Sequence, residues 1–107
     1  RPPVMRQILE RKVLRSIQQQ VMERWKLDVR FSDNVLDQMM NIGGNDVSVG
    51  GRGMGNLAEA AILNPLARVM FHLLDEFGTL EGKSLTITGI VQPCAENNHR
   101  YEIMWEM

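Results

Sequence analysis

After Pro2 and Pro3, apolar side chains recur at spacings of three to five: Val4, Ile8, Leu9, Val13, Leu14, Ile17, Val21 and Trp25. That periodicity predicts a helix with one apolar face, running to about Trp25. The stretch "LDVRF", Leu27 to Phe31, switches to alternation and predicts a short strand with Leu27, Val29 and Phe31 on one side. Ser32 then fits as an N-cap, its hydroxyl able to accept from the free amides of a new first turn, and Asp33 suits the positive helix end. A second helix is expected from Asp33 to about Asn41, stopped by Gly43 and Gly44, with a loop continuing to about Gly50.

A third helical face begins at Met54 and passes through Leu57, Ala61, Ile62, Leu66, Val69, Met70, Leu73 and Leu74, reaching roughly Asp75. Pro65 lies inside it. A proline there removes a backbone donor and clashes one turn back, so a kink or split is expected near Ala61 to Pro65. Gly78 and Gly82 frame a turn, and "KSLTITGIV" and "HRYEIMWEM", on either side of the polar "AENN", read as an antiparallel hairpin. The expected fold is α+β. It has three main helices, the third kinked or split near Pro65, and a small antiparallel sheet formed by the short strand after the first helix and the C-terminal hairpin.

A length of 107 residues fits one domain, 1–107, and hydrophobic and charged shares of 44% and 23% suit a chain that folds. The formal net charge of -1 supplies no global field to attract nucleic acid or an anionic membrane. The basic lean of the first helix, from Arg1, Arg6, Arg11, Lys12, Arg15, Arg24 and Lys26 against Glu10 and Glu23, reads as a solvated face before a nucleic-acid patch. Cys94 is alone, so no intramolecular disulfide can form, and no Cys/His cluster has metal-ligand spacing. A reducing, cytoplasmic setting is expected, with no metal held by this chain. No apolar run approaches the ~20 residues of a bilayer span, so no membrane partner is expected. The opening "RPPVM" lacks an initiator Met and suggests a segment cut from a larger protein.

The stretch "GGNDVSVGGRGMGNLAEAA" holds six of the nine glycines and one basic residue, Arg52. Within it "GMGNLA", Gly53 to Ala58, matches the dinucleotide fingerprint G-x-G-x-x-G/A. That fingerprint works between a core strand and a helix inside a βαβ unit; "NDVSV" is a poor strand and the following helix leads to an antiparallel hairpin, so a dinucleotide site is rejected. "GTLEGKS", Gly78 to Ser84, ends like a P-loop, but its first glycine is one residue too close and it runs from helix to strand. His72 and His99 have no nucleophile or carboxylate at a catalytic spacing, and no catalytic residue is assigned.

One longer span carries more information. "DVSVGGRGMGNLAEAAILNPLA", Asp46 to Ala67, resembles the C-terminal small subdomain of the Clp family of AAA+ unfoldases and disaggregases. Gly50, Gly51, Arg52 and Gly53 fall on the family's glycine-alanine-arginine-proline element, and "NPLA" falls on its threonine-proline-leucine-alanine turn without a gap. The proline-containing start, long basic helix, short strand, capped helix and final hairpin fit the same pattern. The chain departs from it at Gly53, where proline is usual, and at Gly55, where a basic residue is usual.

The resemblance implies a lid-like subdomain whose sensor-2 arginine, Arg52, reaches the β- and γ-phosphates of ATP on the large subdomain. Gly51 would let the backbone come close, and Ile8 would lie near the adenine. It also implies a parent AAA+ ATPase that holds ATP and Mg, while this segment alone binds neither and has no catalysis. The implied partners are the AAA+ large subdomain, neighbouring subunits of a hexameric ring and protein substrates, with the association of a protease left open. Lid rotation would hinge near Arg1 to Val4. On the residues alone an alternative stays open: a free-standing protein- or nucleic-acid-binding module using the hairpin or the basic first helix.

Overall fold

The computed structural model describes residues 4–43 and 50–107. The loop expected up to Gly50 lies outside that description over residues 44–49, as do residues 1–3 of the expected hinge.

The first helix is continuous from Val4 to Trp25 but not uniform. It consists of α1 (Val4–Ile8), a π-helical segment (Leu9–Leu14) and α2 (Arg15–Trp25). Leu9 and Leu14 are both buried although five residues separate them. In an α-helix five residues turn the second side chain about 140° from the first. The wider π turn absorbs one extra residue and returns Leu14 to the buried face, from which Ile17 and Val21 continue at α spacing. Lys26 ends the helix in a left-handed conformation, its N–H donating to the Met22 carbonyl at 3.0 Å.

Strand β1 (Asp28–Phe31) buries Val29, and α3 (Asp33–Gly43) buries Val35, Leu36 and Met39. Ser32 stands at the start of α3 as expected, with the Val35 N–H bonded to its carbonyl, but its hydroxyl donates across to the Thr88 carbonyl at 3.1 Å. That side chain stitches the helix start to the sheet.

The third helix begins earlier than its apolar stripe: α4 (Gly50–Ala58) leads into a second π segment (Glu59–Leu63) and then α5 (Asn64–Phe77). The distortion expected before Pro65 takes this form. The Asn64 N–H donates five residues back to the Glu59 carbonyl, widening the helix just where the proline ring would meet the preceding turn. Pro65 itself is buried in the first turn of α5, directly after the π segment that makes room for its ring. By length and composition alone the helix from Gly53 to Phe77 is long and apolar enough to cross a membrane. In this fold Met54, Ala58, Ile62, Leu66, Met70 and Leu73 bury one side of it in the core.

Gly78, with φ of 78°, caps α5 and accepts the left-handed geometry that a side chain would oppose. Strand β2 (Ser84–Val91) and β3 (Glu102–Glu106) form the expected antiparallel hairpin, with a bulge between Ile87 and Gly89. The whole sheet, however, is mixed and not wholly antiparallel: β1 joins β2 in parallel, Asp28 beside Ser84 through Phe31 beside Ile87. The reason is topological. Two helices lie between β1 and β2, long enough to return the chain to the same end of the sheet before the second strand starts. The order is β1-β2-β3, and the helices cover the face carrying Val29, Leu85 and Ile87.

Candidate functional site

The glycine-rich fingerprint Gly53 to Ala58 lies inside α4, not at a turn delivered by a strand. Gly78 to Ser84 joins α5 to β2, the reverse order for a P-loop, and Lys83 there rests its ammonium 4.3 Å from the centre of the Phe77 ring. Both phosphate motifs thus fail on their structural surroundings.

Gly51 and Arg52 belong to the first turn of α4 and not to a loop. First-turn amides of a helix have no partner within the helix, and the summed peptide dipoles leave that end partly positive. Arginine as a residue type carries a guanidinium, a planar fork of donors that stays charged at any physiological pH. The donor set suits phosphate oxygens. The contacts of the Arg52 side chain itself lie outside what the structure describes.

Two contacts position α4, and a third braces the elements that make them. The segment α1 and its π turn pack directly on it, with Leu9 and Met54 both buried. The end of α3 approaches it closely: a Cβ on Gly43 would lie 2.7 Å from Leu57 Cδ2, so glycine lets the two helices meet. Arg6 of α1 donates to the Asp37 carboxylate of α3 at 2.8 Å, tying the third pair of elements together. An exposed ion pair of this kind is worth ~0–1 kcal/mol, so its role is orientation.

Ile8, the last residue of α1, is half-buried. It therefore sits on an element packed against the helix whose first turn holds Gly51 and Arg52, and the three predicted site residues lie on two neighbouring elements. Sequence periodicity reads Gly43 only as a helix stop and gives no sign of the Arg6–Asp37 pair, because both depend on contacts made after folding. His72 and His99 are exposed on α5 and in the turn after β2, far apart in the chain, and among the described residues no group of three or more His, Cys, Asp or Glu could hold a metal ion. Trp25 and Trp105 are half-buried and pack against the core.

No curated protein and no solved structure matches the chain. A family model does: that of the C-terminal, D2-small domain of ClpB protein matches residues 2–80, taking in all three helices, β1 and the contacts that position α4. The match covers most of the chain, and the chain belongs to the ClpB D2-small domain family.

Proposed function

We propose that the chain acts as the lid subdomain of a Clp-type AAA+ ATPase, and that Arg52 serves as its sensor-2 arginine. Gly51 and the first-turn amides of α4 would approach the phosphates, and Ile8 would flank the adenine. The observation that carries this reading is the packing of α1 on α4 within a chain of the D2-small family, which sets Ile8 and the Arg52 turn on adjoining elements. ATP and Mg would be held mainly by the large subdomain of the parent protein, and ATP would supply the phosphates that Arg52 meets in this reading. The lid itself would bring charge and orientation, not a nucleophile or base. In a hexameric ring in the cytoplasm, rotation of the lid as a rigid body would carry nucleotide state to the neighbouring subunit and so to a protein substrate, with or without an attached protease.

Arg52→Ala in the parent ATPase is the test. Loss of a charged donor at a transferring phosphoryl group should lower ATP turnover by about 10²-fold or more and weaken nucleotide affinity. Turnover and affinity both unchanged would remove the sensor role. Tight, salt-dependent binding of a nucleic acid by the 107-residue chain would instead favour the free-standing binding module.

A further inference from the structure

The long third helix carries more apolar surface than the core uses. Its most apolar stretch between Gly53 and Phe77 has a mean hydropathy of 1.3, yet 39% of that stretch is buried. Part of the remainder faces a groove of about 250 Å³ between α5 and the end of α2. Val21 and Trp25 line it from α2 at a spacing of four, and Ala67 and Phe71 line it from α5 at the same spacing. Rows four residues apart form ridges on a helix surface, and an apolar groove bounded by such ridges can take the apolar face of an amphipathic helix. Ala67 keeps the middle of the channel shallow-walled, while Phe71 stands 69% exposed beside it.

The groove has one charge, Arg24, and no carboxylate. Its guanidinium lies 5.9 Å from the centre of the Trp25 ring, and among the described residues no acid is within ion-pair distance of it. The complement of this surface is apolar along its length and negative at one flank. We propose that the groove between α2 and α5 receives an amphipathic helix of a partner protein, which seats apolar side chains along the Val21–Trp25 and Ala67–Phe71 rows and pairs a carboxylate with Arg24. This proposal stands on the groove alone and is separate from the role of Arg52.

The probe is a fluorescein-labelled helical peptide of about 18 residues, long enough to hold a helix in water. It has leucines every third and fourth position and glutamates on one flank; a twin carries lysines there. Fluorescence anisotropy with the 107-residue chain should show binding of the glutamate peptide in preference to the lysine twin. Phe71→Asp should weaken it by about tenfold or more, as for a central contact residue. Arg24→Glu should reverse the preference between the twins. Both side chains are exposed, and far-UV circular dichroism will confirm that the variants stay folded. Failure of both peptides to bind, equal binding of the twins, or indifference to Phe71→Asp would overturn the proposal. So would a concentration-dependent dimer abolished by Phe71→Asp, which would give the groove to a second copy. Flotation with phosphatidylglycerol vesicles lost in the same variant would give it to a lipid surface.

Discussion

Gln38 and Ile90 exchange two hydrogen bonds: the carboxamide oxygen of Gln38 accepts from the Ile90 N–H at 2.6 Å, and its nitrogen donates to the Ile90 carbonyl at 3.0 Å. Strand β1 is four residues long and stops beside Ile87, leaving the edge of β2 without a strand partner from Thr88 onward. Side chains of α3 and its cap take over: Ser32 and Asn34 both donate to the Thr88 carbonyl, and Gln38 closes on Ile90. Gln38→Ala should cost ~1–3 kcal/mol, since it strands a half-buried donor and acceptor together. Urea denaturation checks this, with loss at the low end expected if water reaches the edge.

Gly89 sits under the same clasp. A Cβ there would lie 3.4 Å from Asn34 Nδ2, 3.4 Å from Gln38 Oε1 and 3.5 Å from Met104 Sδ. One methyl fits after small shifts, and the stiffer unfolded chain offsets the crowding, so Gly89→Ala should change stability by less than about 1 kcal/mol. Gly89→Val should cost ~1–3 kcal/mol through overpacking. In a Gln38→Ala background that cost should shrink, and a double-mutant cycle reads the coupling.

The turn between β2 and β3 carries a pH response. The backbone amide of Glu96 and then the Cys94 thiol hydrogen-bond its carboxylate and hold its pKa below the ordinary 4.5, against a small opposing effect of desolvation. A carboxylate with a depressed folded pKa adds stability that is present above 4.5 and is lost as pH falls through the lowered folded value. Carboxyl NMR titration should therefore show Glu96 ionised to lower pH than a free glutamate. Cys94→Ala should move its midpoint upward, and the amides of Ala95 to Asn98 should shift over the same pH range.

Helix positions were legible because burial follows period, and β2 and β3 were legible from alternation and the polar turn. The start of α4 was not. Four glycines between Gly50 and Gly55 each disfavour helix by about 1 kcal/mol relative to alanine, and a local reading makes them loop. Tertiary contacts outweigh that preference: Met54 is buried and Leu57 packs on the bare backbone of Gly43. The parallel pairing of β1 escaped for a different reason, since alternation over four residues is the same in either direction and only the intervening helices decide it. Of the candidate site, the place of Arg52 near a helix start came from the family resemblance, in which Gly50 to Gly53 keep their register with Pro65, and not from local periodicity. The packing of α1 on α4 could not follow, as residues some forty apart in sequence leave no periodic trace of their contact.

The π turn in the first helix yields the sharpest test of how that helix is phased. Leu9 and Leu14 share a buried face because one extra residue is looped into a wide turn. Deleting Lys12 leaves the two leucines four residues apart, the spacing at which an ordinary α-helix already sets both on one face. The helix should close into α geometry with Leu9, Leu14, Ile17 and Val21 still inward, and melting should stay cooperative within about 5 °C of the parent chain. Deleting Gln19 from α2 offers no such escape. It rotates Leu9 and Leu14 by about 100° relative to Val21 and Trp25, taking one set of buried leucines out of the core. Each such leucine is worth ~2–5 kcal/mol, a large part of a small domain's total stability, so this second deletion should abolish the cooperative transition in thermal circular dichroism. Equal damage from the two deletions would mean that the π turn does not set the phase of the helix.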